Sequence, residues 1–116
     1  MLKVMAFLTK REDLETQAFI DYYENSHVPL ITSLAPTPVV YKRSYLVRGD
    51  ELSSEDAAIG FDVVTELVFP DRAAYLAWGA AVGTGGPGEQ VAADELKFLD
   101  RRRTRAYVVQ EYVTSS

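Results

Sequence analysis

The chain contains a single histidine, His27, set in the stretch Asp21-Tyr22-Tyr23-Glu24-Asn25-Ser26-His27-Val28-Pro29-Leu30. An imidazole titrates near neutral pH and can both take and return a proton, which is what general acid–base chemistry requires. Helical spacing places Tyr23, His27, Leu30 and Leu34 on one stripe, so the ring faces inward. Pro29 suits a first helical position, and the spacing predicts a helix ending near Ser26, a break at His27 and a new turn from Pro29. A ring at a helix end suits a pocket wall; the alternative is a packed histidine bonded to a carbonyl. Asp94 is the second candidate. It shares a helical stripe with Val91 and Phe98, where a carboxylate is costly without a partner. Asp94 either orients and charge-stabilises His27 or acts as an acid with a raised pKa, unless it is simply an exposed helix carboxylate. Tyr23, Tyr41 and Tyr45 offer hydroxyls to an enolate or phenolate oxygen, or are core aromatics satisfied locally. Trp78 and Phe7 are candidates for apolar walls around a planar substrate.

Composition removes several other chemistries. Without cysteine there is no disulfide framework and no thiolate nucleophile or cysteine-ligated metal, and one histidine makes a zinc site unexpected. The expectation is therefore a protein without a cysteine- or histidine-built metal site. Twelve Lys and Arg against 17 Asp and Glu give a net charge of −5, which disfavours nucleic acid and anionic membrane as partners. The basic cluster Arg101-Arg102-Arg103 with Arg105 follows an acidic helical segment and reads as a helix end complementing the macrodipole. Residues 1–5 enter an alternating strand directly, so neither a signal peptide nor a spanning segment is expected, and the location is expected to be cytoplasmic.

The elements that must position these groups follow from periodicity. Strands are expected over 2–9, 39–48, 61–69 and 106–113, and helices over 14–26, 73–82 and 89–101. In the first helix Ala18, Phe19, Tyr22 and Tyr23 form the inward stripe. Ala35-Pro36-Thr37-Pro38 is extended, because each proline disfavours helix in the residue before it. Residues 49–60, including Ser53-Ser54-Glu55-Asp56, read as an acidic surface connection with one possible helical turn. The run Gly83-Thr84-Gly85-Gly86-Pro87-Gly88 follows a helix and lacks the Lys-Ser/Thr ending of a phosphate loop, so it reads as a flexible linker. Asp62 and Glu66 share a strand face as edge or dimer-facing charges.

At 116 residues the chain is expected to be one domain, 1–116, with α+β architecture. The order βαββαβ predicts a ferredoxin-like four-stranded antiparallel sheet with its helices on one face. Every strand carries apolar residues on both faces, which would leave a wet apolar patch on a monomer. A symmetric homodimer, sheet against sheet in a barrel-like core, is therefore expected.

The segments Phe19-x-x-Tyr22-Tyr23-x-x-x-His27-Val28-Pro29-Leu30, Tyr41-x-Arg43-x-Tyr45, Asp62-Val63-Val64-Thr65-Glu66-Leu67-x-Phe69 and Asp94-Glu95-x-x-Phe98-Leu99-Asp100 resemble the EthD family of dimeric α/β-barrel proteins. The resemblance implies the dimeric ferredoxin-like fold and small-molecule chemistry without metal or flavin. It implies, for members of the polyketide-tailoring type, decarboxylation or dehydration of an aromatic polyketide-like molecule by a cofactor-independent lyase. Related barrels include quinone-forming monooxygenases, cyclases and lactone isomerases. The monooxygenases use an Asn, Trp and His set; Asn25, Trp78 and His27 supply those residue types here, and Asn25 is a substrate-binding candidate on that footing. A non-catalytic barrel that binds a hydrophobic aromatic molecule is the alternative from outside enzymology, and an accessory barrel without a ligand is a third.

Overall fold

The computed structural model describes residues 1–55, 57 and 59–116. Asp56, part of the acidic connection, lies outside the described residues, and the described part of 49–60 contains turns but no helical turn. Strands β1 (Leu2–Leu8), β2 (Val40–Tyr45), β3 (Val63–Phe69) and β4 (Arg105–Val109) form one antiparallel sheet in the order β2-β3-β1-β4. This is the expected α+β, ferredoxin-like sheet. The outer strands are shorter than periodicity suggests: β2 begins after buried Pro38, and β4 stops at Val109 instead of 113. Both are edges, with one side of their backbone unpaired, so no second ladder extends them.

Register assigns the two faces. Val4 lies opposite Leu67 and Val108, and Ala6 opposite Thr65 and Ala106, on the face covered by helices. Lys3, Met5 and Phe7 lie on the bare face beside Val68, Glu66 and Val64. On the bare face Lys3 contacts Glu66 and Glu111 at 2.6 Å each and Lys42 contacts Glu66 at 2.9 Å, while Arg105, opposite Phe7 at the sheet end, donates to the backbone carbonyls of Arg102 and Thr104.

The first helical layer departs from expectation at His27. Helix α1 (Thr16–Tyr22) passes without a break through a π-helical turn (Tyr23–His27) into α2 (Val28–Leu34). The Val28 N–H donates to the Tyr23 carbonyl five residues back, and His27 itself has helical φ −75° and ψ −46°. Pro29 brings no N–H, so the chain needs no donor there, and the wider turn absorbs the proline without ending the helix. Beyond the turn the buried stripe is His27, Ile31 and Ala35, while Leu30 and Leu34 are only half-buried; Ala18 is exposed.

Helices α3 (Arg72–Gly83) and α4 (Gly85–Glu95) complete the layer. Asp71 caps α3, its carboxylate accepting from the Ala74 N–H at 2.8 Å. The glycine run is not a linker. It ends α3 at Gly83 and forms the first turn of α4, with Gly85 at φ +64° making the corner. A Cβ on Gly88 would stand 2.5 Å from the Gly83 carbonyl carbon, so the missing side chain is what lets the two helices meet. Arg101–Arg103 form a separate 3-10 turn beyond α4 and are held by local ion pairs, Arg101 to Glu95 at 3.1 Å and Arg102 to Asp100 at 3.4 Å.

Besides a sheet cluster of Val4, Leu67 and Phe69, two buried clusters build the core. One gathers Leu8, Phe19, Tyr23, Val63, Phe98 and Leu99; the other gathers Ile31, Ala35, Val82 and Val91. His27 falls between them. Among the described residues no helix is long and apolar enough to cross a membrane.

Candidate active site

The π-turn delivers His27 to the interior at 5% exposure, and α4 delivers Asp94 to meet it. His27 Nδ1 lies 2.8 Å from Asp94 Oδ2. An ionised carboxylate can only accept, so Nδ1 carries the proton and Nε2 presents the lone pair. Asp94 Oδ1 accepts a second hydrogen bond, from the Tyr22 hydroxyl at 2.5 Å. Burial and that bond push the Tyr22 hydroxyl up to about 12, so it remains a neutral donor across the physiological range. Phe98, fully buried, packs on His27, Tyr22 and Tyr23 with ring centroids 4.8, 5.3 and 5.3 Å away. The imidazole is thus fixed along one edge by a carboxylate and across one face by a ring.

Its other edge borders a cavity of about 290 Å³ between sheet and helices. Among the described residues Nε2 has no hydrogen-bond partner, and His27 lines the cavity while Asp94 and Tyr22 stand behind it. Val4, Ala6 and Leu67 make the sheet-side floor, and Trp78, Val82 and Val91 the helical wall. Polar groups are few. Tyr23 and Thr65 pair hydroxyl to hydroxyl at 2.6 Å, and Tyr41, Tyr75, Glu95 and Thr104 complete the polar lining. Burial raises the Tyr23 and Tyr41 hydroxyls above their ordinary range, so both act as neutral phenols. An apolar chamber with a few convergent polar groups and one oriented base is the usual form of a small-molecule site.

The structure brings His27, Asp94, Tyr23, Tyr41 and Trp78 together and leaves out three other candidates. Phe7 is on the bare face of the sheet, packed on Phe61 and Tyr107 with centroids at 5.0 and 6.2 Å. Its neighbours Ala6 and Leu8 take the cavity side, as alternation requires. Asn25 is exposed, turned outward by the widened turn. Tyr45 lies outside the cavity and donates to the Glu24 carboxylate at 2.6 Å. Asp62 sits before β3, accepting from the Lys10 N–H at 2.9 Å and pairing with Arg48 at 3.2 Å. Tyr22, Thr65, Tyr75, Glu95 and Thr104 join the site beyond the residues expected from the sequence. Tyr75 had a signal, its three-residue spacing from Trp78; Tyr22 had none beyond its place on the inward stripe.

Residues 11–102 match the EthD domain. The chain belongs to the EthD family. An EthD family protein from Bacillus halodurans is similar over 97% of this chain and 100% of its own, at 21% identity and a TM-score of 0.64. Hydroxynitrile lyase from Passiflora edulis is similar over 97% of this chain and 96% of its own, at 18% identity and a TM-score of 0.60. A dimeric protein of ferredoxin-like fold from Bacteroides fragilis covers 95% of both chains at 9% identity and a TM-score of 0.59. At these identities the likeness to solved structures is one of fold. No curated protein matches the sequence.

Proposed function

We propose that this EthD-family protein is a cofactor-independent lyase acting on an aromatic, polyketide-like small molecule, with His27 as general acid and base. The observation that carries the reading is the 2.8 Å contact between His27 Nδ1 and Asp94, which leaves Nε2 as the free basic group of an apolar chamber. In a dehydration, Nε2 removes a proton from the carbon beside a carbonyl. The electron pair forms the new double bond as the C–O bond breaks, and the imidazolium proton leaves with hydroxide as water. In a decarboxylation Nε2 takes the proton of the substrate's carboxylic acid, the C–C bond breaks as carbon dioxide leaves, and the imidazolium so formed gives its proton to the carbon left behind. Either route creates an imidazolium beside Asp94, and a carboxylate already in place stabilises that charge without reorganising. The Tyr23 and Tyr41 hydroxyls line the same chamber and can donate to an enolate or phenolate oxygen. A lyase with the same fold, the Passiflora hydroxynitrile lyase, supports the class of reaction.

The working unit in this proposal is a homodimer joined through the bare face of the sheet. Its Lys and Glu side chains already pair within one chain, so a copy can cover the middle of that face without stranding those charges. The dimeric ferredoxin-like relative from Bacteroides fragilis supports this assembly.

Incubation of the purified protein with aromatic polyketide acids, followed by mass spectrometry, tests the reading. Loss of carbon dioxide or water that disappears in His27→Ala is the expected result. Recovery of every acid unchanged in a stoichiometric complex would identify a binding protein instead.

A further inference from the structure

A second cavity, of about 380 Å³, also has Trp78 in its wall and does not include His27. Pro36, Pro38, Phe69, Pro70 and Ala77 give it an apolar lining, and none of the described residues that border it is titratable. It therefore has no reaction of its own to offer. Trp78 is the one side chain that borders both cavities. The indole packs at a tilt against Phe69 with centroids 5.6 Å apart, and among the described residues its buried Nε1–H has no hydrogen-bond partner. Unpaired buried donors are uncommon in native structures because each forgoes its hydrogen bond to water, so this one calls for a partner that arrives later. The two halves of the observation fit together: an indole that turns aside joins the cavities, and an acceptor oxygen passing it removes the cost of the orphaned N–H.

We propose that the two cavities form one elongated site for a fused-ring aromatic ligand whose mid-molecule carbonyl or hydroxyl oxygen accepts from Trp78. The ligand's reacting end lies at His27, its distal rings occupy the proline-lined cavity, and Trp78 sets the length and oxygenation that are accepted. The proposal rests on the reading of the His27 chamber as a small-molecule site. Either cavity alone is near the small end of the range for ligand sites, whereas the pair reaches its middle.

Calorimetric titration with benzoate, anthracene-2-carboxylate and anthraquinone-2-carboxylate separates the parts. Benzoate tests the His27 chamber alone. The tricyclic acids are expected to bind at least about tenfold more tightly than benzoate, from the added apolar area covered. Anthraquinone-2-carboxylate, which differs from its hydrocarbon counterpart by two carbonyl oxygens, is expected to be preferred by about tenfold, the worth of one well-made buried hydrogen bond. Trp78→Phe keeps the wall and removes the N–H, so it should abolish that preference. Ala77→Phe fills the second cavity from an exposed position and should reduce the tricyclic acids to benzoate's affinity while leaving benzoate unchanged. Benzoate binding with no gain from the extra rings, or a gain that Ala77→Phe leaves intact, overturns the two-cavity site but not the His27 reading. A change in sedimentation caused by Ala77→Phe would show that a second copy covers the groove, and also overturns it. Failure of every acid, benzoate included, contradicts both.

Discussion

Arg43 grips Glu24 across the seam between sheet and helix, with Nε at 2.9 Å and Nη2 at 2.6 Å from its two carboxylate oxygens. Tyr45 adds a third donor at 2.6 Å, and the Arg43 guanidinium lies 4.8 Å from the centre of the Tyr41 ring. Glu24 is the second residue of the π-turn that ends on His27. A π-turn is rare and has poorer hydrogen-bond geometry than an α-turn, so an outside fastening matters more here than on an ordinary helix. The clamp holds the turn whose far end carries the base.

The clamp predicts a pH dependence. The hydrogen bonds from Arg43 hold the Glu24 carboxyl below its ordinary value of 4.5. A depressed folded-state pKa means the stabilisation is fully present above that ordinary value and fades as pH falls through the lower folded value. Thermal melts from pH 7 to pH 3 should therefore show a loss of stability that is smaller in Glu24→Gln. Arg43→Met should cost about 1 kcal/mol at neutral pH, a modest figure because the pair is partly solvated. Parallel curves for wild type and Glu24→Gln would place the acid sensitivity elsewhere.

The corner between α3 and α4 gives a contrast between two glycines. Gly88→Ala would drive a methyl into the Gly83 backbone and should destabilise by about 1–3 kcal/mol, as other overpacking changes do. Gly86 meets nothing within 4 Å, so Gly86→Ala should be neutral or stabilise by about 0.5–1 kcal/mol through reduced freedom of the unfolded chain. Denaturant midpoints measure both. Equal effects would mean the corner is not a close contact.

Several of these features were readable in the sequence, and the others were not for identifiable reasons. Alternation in 2–8 and 63–69 located the central strands, because a half-buried strand must alternate. The seven-residue stripe Val91, Asp94, Phe98 singled out a carboxylate on a buried face, and its partner is the one histidine of the chain. Alternation does not say which face meets the helices, so Phe7 was assigned to the wrong side. Tyr45 does share the helix-facing side with Tyr41, but Glu24 takes its hydroxyl before it reaches the cavity. The i to i−5 bond of the π-turn leaves no compositional mark, and Pro29 suggested a break that the turn avoids. Gly83 to Gly88 has the composition of a linker, yet its function depends on how near two helices pass, which no local pattern records. Tyr22 and Asp94 are 72 positions apart, and only the folded chain relates them.

Assembly through the bare sheet face makes a further prediction. Sedimentation at micromolar concentration should give about twice the mass of one chain, as a closed two-fold assembly requires. Val68→Asp, which adds a carboxylate to a face whose lysines are already paired, should produce a folded monomer. A wild-type monomer, or a Val68→Asp dimer, would exclude the sheet-to-sheet interface.

Behind His27, Asp94 and Tyr22 are positioning residues, since neither borders the cavity. Asp94→Asn should lower kcat by about 10²-fold or more, within the range for loss of general acid–base assistance. Tyr22→Phe should lower it less, because Asp94 keeps its bond to the imidazole. The combined His27→Ala, Asp94→Asn variant should be no worse than His27→Ala alone, since Asp94 acts only through the ring. Additive losses would mean that Asp94 has a separate task.

The most direct test is His27→Ala itself, with turnover and melting measured on the same preparation. Removing a ring at a cavity edge sacrifices fewer contacts than the roughly 3–5 kcal/mol lost when a packed core aromatic is truncated, so the variant should stay folded. Turnover should fall by about 10²- to 10⁴-fold, the loss typical for one positioned acid or base. A variant that melts early yet keeps its specific turnover would contradict the account and make His27 a structural residue.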